Sequence, residues 1–148
     1  MLRLVPHPYT LAHALEWIGL HAAERERGTA HRFVVERNGR VIGVCDIDDI
    51  AVEVGSVGYW LEEEEWGKGI ATEAARAVIT FGFETVGLKR LTSGHAADNP
   101  NSGRVLTKLG FLLRAGRARV WSNPRGAEIV QWTYELERGC HPVYSTGT

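Results

Sequence analysis

Residues 58–74 read GYWLEEEEWGKGIATEA, and this stretch decides how the rest of the chain is interpreted. An apolar run ends at Leu61, a turn with two glycines follows, and a regular helical pattern starts directly afterwards. Such a turn directs several main-chain N–H groups and the N-terminus of a helix at one small volume. Gly67 and Gly69 can take the positive φ angles that the turn needs. The stretch therefore predicts an anion-binding loop between a strand and a helix.

Two well-known phosphate-binding loops have a different spacing. The P-loop places four residues between its first glycine and Gly-Lys-Ser/Thr, and the dinucleotide fingerprint needs a third glycine. Residues 66–72 meet neither requirement. The spacing alone leaves two interpretations open: a phosphate site that includes the Thr72 hydroxyl, or a glycine turn that only begins a helix.

The segments around the loop predict a single domain of helices and strands. Apolar residues recur at helical spacing over 11–22, with Thr10 as the N-cap and Gly28 as the end of the helix. Two extended runs are joined by Asn38-Gly39, the strongest short hairpin signal. The predicted strands cover 31–37, 40–48, 53–61, 89–96, 111–120 and 128–137, and further helices cover 68–87 and 101–109. The helix over 68–87 implies a parallel pairing between the strands on either side of it. Residues 139–148 are expected to form a loose tail.

Composition excludes several classes of protein. The chain has 148 residues, 44% hydrophobic and 24% charged, which is the balance of one globular domain over 1–148. A formal net charge of -1 gives no basic surface for nucleic acid or for an anionic membrane. Cys45 and Cys140 form neither a disulfide framework nor a metal-ligand spacing, so we expect a cytoplasmic protein without a metal. No apolar run is long enough for a membrane span, and no signal peptide is expected.

Two later motifs, Asn99-Pro100-Asn101-Ser102 and Lys108-Leu109-Gly110-Phe111, follow the loop in order. With residues 58–61 and 66–74, they make the chain resemble the GNAT superfamily of acyl-CoA-dependent N-acetyltransferases. The branch it resembles contains the ribosomal-protein N-terminal acetyltransferases, and the resemblance extends from about Pro8 to Glu137. It implies an α/β fold (α+β, a mixed, mostly antiparallel sheet flanked by helices). It also implies transfer of an acetyl group from acetyl-CoA to a primary amine, on a protein N-terminus or a small molecule, by direct attack in a ternary complex.

The resemblance further implies where acetyl-CoA binds. In the superfamily, main-chain N–H groups of the loop wrap the pyrophosphate, and the pantetheine arm lies between two strands that splay apart, here 53–61 and 89–96. The family pattern has Gln or Arg where this chain has Trp66, a departure of little consequence if amides hold the phosphates. The expected cofactor-binding residues are Trp60 and Leu61 for pantetheine, Trp66, Gly67, Lys68, Gly69, Ile70, Ala71 and Thr72 for pyrophosphate, Arg104 near the phosphates, and Asn99 and Ser102 at the reacting end.

The catalytic candidates implied by the resemblance are Asn99 and Ser102. Asn99 is expected to hydrogen-bond pantetheine or the incoming amine, and Ser102 to lie near the sulfur as a proton donor. Alternatively, Ser102 only caps the helix over 101–109. A strand amide near Trp60 or Leu61 is expected to stabilise the oxyanion.

The sequence leaves the general base open. The resembled branch frequently has Glu two residues before Gly-Tyr, and this chain has Ser56 there. Asp46, Asp48 and Glu53 are the local alternatives, although each is also an ordinary residue for a solvated strand end or turn.

Other residues also have two interpretations. The glutamates at 62–65 either attract a cationic acceptor or form a solvated loop. His95 either faces a cleft or is a structural histidine, and Trp121 and Trp132 either line an acceptor pocket or pack on the sheet. Cys45 is expected to be a small buried hydrophobe.

Members of the resembled branch normally have a strand and a helix before the segment that matches residues 8–11, and this chain shows neither. We therefore expect the strand over 31–37 to have an open edge that a second copy of the chain covers, giving a homodimer. Two other functions stay open: a CoA-binding module without turnover, suggested by Ser56 and the missing elements, and an interaction protein whose glycine loop only starts a helix.

Overall fold

The computed structural model describes residues 10–96, 100–122 and 126–140. Their strands form one six-stranded mixed sheet in the order β1-β2-β3-β4-β6-β5, which confirms the predicted α/β (α+β) class. The elements are α1 (Leu11–Arg27), β1 (His31–Arg37), β2 (Arg40–Ala51), β3 (Val54–Leu61), α2 (Ile70–Thr80, continued by a π-helical turn over Phe81–Val86), β4 (Arg90–Ala96), α3 (Pro100–Lys108), β5 (Leu112–Ser122) and β6 (Ala127–Glu137). Asn99, Pro8 and the tail from 141 onward lie outside the described residues. No helix within the described ranges is long and apolar enough to cross a membrane.

Most element ends follow from local sequence signals. The Thr10 side chain accepts a hydrogen bond from the His13 amide at the start of α1, and Gly28 ends the helix with φ 71°. Asn38 and Gly39, with φ 52° and 78°, form the predicted hairpin turn. The turn between β2 and β3 lies later than predicted: β2 was expected to end at residue 48 but continues to Ala51, and Val52 and Glu53 turn the chain with φ 49° and 63°. Neither residue type favours positive φ, so the sequence carried no signal for this turn.

The hydrophobic core lies on one face of the sheet, between the central strands and the helices α2 and α3. Its largest fully buried side chains include Ile47, Phe83, Leu91, Leu106 and Leu136. Burial of this apolar surface is the main stabilising contribution that holds the two helices against the strands. It also fixes the position of both helix N-termini relative to the sheet.

Helix α1 contacts the opposite face of the sheet and buries none of its residues. Its predicted apolar stripe is exposed, since Leu15 and Ile18 are 61% and 57% accessible. The helix instead turns Trp17 and Glu24 towards Arg32 of β1, which hydrogen-bonds Glu24 and lies 5.4 Å from the Trp17 ring centroid. An ion pair and a cation–π contact therefore orient α1 where apolar packing was expected.

The strands β3 and β4 are parallel, as predicted, but pair over only three residues. The paired residues are Val54–Ser56 and Arg90–Thr92. Beyond them β3 stays with β2 as far as Leu61, and β4 stays with β6 as far as Ala96. The two strands therefore splay apart, as the resemblance implied. We call the gap between residues 57–61 and residues 93–96 the fork.

Candidate functional site

A glycine loop joins the end of β3 to the N-terminus of α2. Gly67 and Gly69 have φ angles of 74° and 78°, and Gly69 is the residue before the first turn of α2. A side-chain carbon at either glycine would meet no atom within 4 Å, so backbone conformation, not crowding, requires glycine there. The first amides of a helix point out of its end, and here they belong to Ile70, Ala71 and Thr72. The loop has the backbone geometry of an anion-binding site.

Trp66 ties this loop to the end of β3. Its indole Nε1 donates a hydrogen bond to the carbonyl oxygen of Leu61 at 3.0 Å. The sequence interpretation gave Trp66 only a main-chain role. The pairing was not predictable because it depends on how the four glutamates between the two residues turn.

Glu65 holds the loop from its other side. The residue is 8% exposed, and its carboxylate contacts Arg37 at 2.6 Å and Lys68 at 3.2 Å. The hydrogen bond from Arg37 lowers the pKa of Glu65, so the carboxylate is charged at neutral pH. The solvated-loop interpretation therefore holds for Glu63 and Glu64, which are exposed, but is wrong for Glu65. The Lys68 ammonium, expected at the pyrophosphate, is paired with Glu65.

The main chain of β3 presents alternate residues to the fork. The amide of Glu62 donates to the carbonyl of Ile42 on β2, so every second residue of β3 faces β2. Trp60 is one of these, and a side chain at Gly43 would collide with its carbonyl oxygen. Tyr59 and Leu61 direct their amides towards the fork. Of the two amides expected to bind pantetheine, that of Leu61 faces the fork and that of Trp60 faces β2.

Ser93 closes the lower end of the fork. Its buried hydroxyl donates a hydrogen bond to the carbonyl oxygen of Val57 at 2.9 Å, one residue beyond the last paired position of β3. The strands are thus linked at the base of the fork and separate above it.

Ser102 reaches the fork from α3. Burial raises the pKa of the Tyr59 hydroxyl, and the neighbouring Ser102 side chain opposes that rise, although the Tyr59 hydroxyl completes no hydrogen bond within the described residues. The third residue of α3 is thereby placed beside the strand that lines the fork, on the face where the core lies. Arg104, two residues after Ser102 in α3, is exposed. Asn99, the second catalytic candidate, lies outside the described residues.

Gly103 seats α3 against the sheet. A side-chain carbon there would come within 2.8 Å of His95 Nε2 and 3.1 Å of the Tyr134 hydroxyl oxygen. His95 Nε2 itself lies 3.1 Å from the Tyr134 hydroxyl, which favours the structural interpretation of this histidine. Trp132 is opposite His95 on β6 and packs against the core, as a sheet-packing residue does. The side chain of Trp121 lies outside the described part.

The candidate bases separate clearly in the structure. Asp46 is 1% exposed and accepts a hydrogen bond from Arg32 Nη1 at 2.7 Å, while Asp48 Oδ2 lies 3.5 Å from the same nitrogen. Burial raises the pKa of Asp46 to about 6, against the attraction of Arg32, and burial also raises the pKa of Asp48. Glu53 is exposed and paired with Lys89 at 2.9 Å. Of the three, Asp46 and the partly exposed Asp48 both contact Arg32.

Cys45 behaves as the sequence predicted. Its side chain is 1% exposed, and burial raises the pKa of the thiol to about 12, so the sulfur is protonated and acts as a small hydrophobe. In the described ranges no group of three His, Cys, Asp or Glu side chains is placed to hold a metal ion.

Comparisons with known proteins agree with this geometry. The family model for the acetyltransferase (GNAT) domain matches residues 1–112. The uncharacterized N-acetyltransferase p20 of Bacillus licheniformis is 33% identical over 113 residues, covering 74% of this chain and 63% of that protein. The ribosomal-protein-serine acetyltransferase of Escherichia coli K12 is 32% identical over 90 residues, covering 60% of this chain and 50% of that protein. The chain thus spans between half and two thirds of the length of these relatives.

A solved structure shows the same fold. Mycobacterium smegmatis RimJ in complex with CoA-disulfide superposes with a TM-score of 0.80 at 24% sequence identity, covering 88% of this chain and 63% of that one. The matched family model covers most of the chain and includes β3, the glycine loop, α2 and α3. The chain therefore belongs to the acetyltransferase (GNAT) family.

Proposed function

We propose that this chain is an N-acetyltransferase that moves an acetyl group from acetyl-CoA to a primary amine by direct attack in a ternary complex. The observation that carries the proposal is the fork between β3 and β4, which opens directly below the glycine loop. The slot is lined by strand amides, which suit an amide-containing arm. The helix N-terminus binds anions, which suits a pyrophosphate at the other end of the same ligand.

The residues present fit acetyl-CoA. Positive φ at Gly67 and Gly69 exposes the loop amides, with open space beside both glycines. The amides of Tyr59 and Leu61 face the fork and can pair with the pantetheine arm as a neighbouring strand would. Ser102 lies beside Tyr59 at the side of the slot. Acetyl-CoA would supply the activated thioester.

The chain's own residues would then serve the transfer in three ways. The fork amides hold the arm, and the amide of Leu61 or Tyr59 can donate to the carbonyl oxygen as negative charge develops on it. Ser102, which lies beside Tyr59, can pass a proton to the leaving sulfur. Close positioning of the amine and the thioester supplies the rest of the rate enhancement.

The names of the relatives suggest which acceptor to test first. One relative is named for acetylating a serine of a ribosomal protein, so a peptide with a free N-terminal serine is the first acceptor to test. Putrescine serves as a small-molecule amine for comparison.

The decisive assay measures release of free CoA thiol with each acceptor, together with the mass of the acetylated product. An N-acetyltransferase releases thiol in proportion to product, and an N-terminally blocked peptide gives neither. Saturable acetyl-CoA binding without thiol release or product from any amine would instead identify a binding module that lacks turnover.

Two further expectations belong to this proposal. β1 is the first strand in the sheet order, and Phe33 and Val34 are 38% and 61% exposed. Such an edge favours pairing with a second copy as a homodimer. A monomeric mass in light scattering at micromolar concentration would contradict the homodimer, and Val34→Lys should abolish it.

The second expectation is a cytoplasmic location. It is supported by Cys45 and Cys140, both of which are free thiols.

A further inference from the structure

Two arginines flank the hairpin turn between β1 and β2 and contact the run of glutamates that precedes the glycine loop. Arg37 is the last residue of β1, and Arg40 is opposite it as the first residue of β2. Arg37 Nη1 lies 2.6 Å from Glu65 Oε2. Arg40 Nη2 lies 2.9 Å from Glu62 Oε2 and 3.6 Å from Glu65 Oε1. The end of the hairpin is therefore in contact with the segment that leads into the loop.

The Glu65 carboxylate connects this hairpin to the middle of the glycine loop. Lys68 lies between Gly67 and Gly69, and its Nζ is 3.2 Å from the same Glu65 Oε2 that Arg37 contacts. One carboxylate oxygen thus receives a guanidinium from β1 and an ammonium from the loop. Hydrogen bonds between charged groups are shorter and stronger than neutral ones. Glu65 therefore bridges the loop to Arg37, which is 28 residues away in the sequence.

The main chain around Glu65 is itself held by hydrogen bonds. Glu65 is 8% exposed and ends a short 3₁₀ turn over Glu63–Glu65. Its amide donates to the carbonyl oxygen of Glu62 at 3.0 Å, and the amide of Trp66 donates to that of Glu63 at 3.1 Å. The carboxylate is thus carried by an ordered turn, so the contact with Arg37 is transmitted to the residues that follow.

The loop beyond this bridge has little packing of its own. A side-chain carbon at Gly67 or Gly69 would meet no atom within 4 Å, and Trp66 is 59% exposed. A segment with few packing contacts samples other conformations more readily. The polar contacts therefore have a large share in holding the binding conformation, and the population of that conformation sets the affinity for a ligand.

We propose that Arg37 is a positioning residue for acetyl-CoA, which acts through Glu65 to hold the glycine loop in the conformation that binds the pyrophosphate. The inference rests on the proposed acetyltransferase function. Arg37 needs no contact with the cofactor for this role. Its side chain is 47% exposed, and ion pairs of partly exposed side chains add little to folding stability. The contact should therefore affect ligand binding more than the melting temperature.

A second explanation for any loss of affinity is the long-range attraction of a positive charge for phosphates. That attraction does not need Glu65, and it applies equally to Arg40, which is 57% exposed at the other end of the same turn. Positioning through Glu65 predicts instead that Arg37 loses its effect once the Glu65 carboxylate is removed. A double-mutant cycle separates the two explanations.

Calorimetry measures the Kd for acetyl-CoA of Arg37→Met, alone and combined with Glu65→Gln. Arg40→Met is the matched control for the arginine. Glu64→Gln, at an exposed position of the same run, is the matched control for the glutamate. Turnover is measured with acetyl-CoA and with S-acetylpantetheine, which has the same arm and thioester but no pyrophosphate. A thermal melt accompanies every variant.

We expect Arg37→Met to raise the Kd at least fivefold, both in the unmodified protein and in Glu64→Gln, and by less than twofold in Glu65→Gln. Arg40→Met should change the Kd by less than twofold. In turnover, Arg37→Met should raise KM for acetyl-CoA and leave kcat unchanged. It should also leave kcat/KM for S-acetylpantetheine within twofold, because that substrate does not use the loop.

An unchanged Kd in Arg37→Met would overturn the proposal. An equal rise with and without Glu65→Gln, or an equal rise in Arg40→Met, would overturn it as well, because either result indicates long-range attraction. A parallel loss with S-acetylpantetheine would contradict it by showing general damage to the fold. Absence of acetyl-CoA binding by the unmodified protein would contradict the acetyltransferase function itself, which keeps the two failures distinct.

Discussion

The indole nitrogen of Trp66 lies 3.0 Å from the carbonyl oxygen of Leu61 and donates a hydrogen bond to it. Leu61 ends the strand that lines the fork, and Trp66 begins the glycine loop. One side chain thereby fixes the position of the glycine loop relative to the fork. A loop that is already held in its binding conformation binds more tightly, because less of the protein occupies conformations that cannot bind.

Replacing Trp66 with phenylalanine should weaken acetyl-CoA binding without unfolding the protein. The variant keeps an aromatic ring at a 59% exposed position and removes the indole N–H donor. A typical net hydrogen bond contributes about 1 kcal/mol, so we expect the Kd for acetyl-CoA to rise about fivefold. Calorimetric titration measures this, and a thermal melt should show a small change. An unchanged Kd would mean that the loop is ordered without Trp66.

Replacing Gly103 with alanine should displace the N-terminus of α3. The added carbon would lie 2.8 Å from His95 Nε2 and 3.1 Å from the Tyr134 hydroxyl, both within the packed part of the fold. Overpacking of this kind costs about 1–3 kcal/mol, and the shift of Ser102 should lower kcat more than it changes the Kd for acetyl-CoA.

Gly19→Ala is the matched control for this change. Gly19 is also helical, and a side-chain carbon there would meet no atom within 4 Å. It should stabilise the protein by up to about 1 kcal/mol, because alanine is the better helix former. Equal melting temperatures for the two alanine variants would contradict the close seating of α3.

Local signals predicted much of the fold, and their limits are instructive. The hairpin turn at Asn38-Gly39 and the helix cap at Thr10 each depend on a few neighbouring residues, and both were predicted correctly. The turn between β2 and β3 was expected over 49–52 and lies at Val52-Glu53 instead, because its positive φ angles are imposed by the pairing of β2 with β3 on either side. The orientation of α1 was missed because Arg32, distant in sequence, outweighs the helix's own apolar stripe.

The site was predicted in outline and less well in detail. The glycine loop is visible in the sequence because positive φ demands glycine. Which amides of β3 face the fork depends on which of its residues hydrogen-bond β2, and no pattern in the sequence gives that alternation. The sequence also could not distinguish Asp46 from Asp48 and Glu53, since burial of Asp46 and its contact with Arg32 arise only when β1 and β2 pair.

The charge on Asp46 should make stability depend on pH. Its pKa is raised from the usual 3.8 to about 6, so between these values the folded chain binds a proton that the unfolded chain does not. The resulting stabilisation is present below pH 4 and is lost as the pH rises through 6. Relative to Asp46→Asn, the unmodified protein should therefore lose on the order of 2 kcal/mol between pH 4 and pH 7. Urea unfolding across this range checks it, and a constant difference would contradict it.

The most direct test of the central claim is a calorimetric titration with acetyl-CoA of the unmodified protein, Gly69→Val and Gly139→Val. Both glycines have positive φ, 78° and 86°, and open space around them, so valine strains the backbone equally at each. We predict one site per chain, at least tenfold weaker binding in Gly69→Val, and unchanged binding in Gly139→Val. No saturable binding, or equal affinity in Gly69→Val, would contradict the assignment of the loop and the fork to acetyl-CoA.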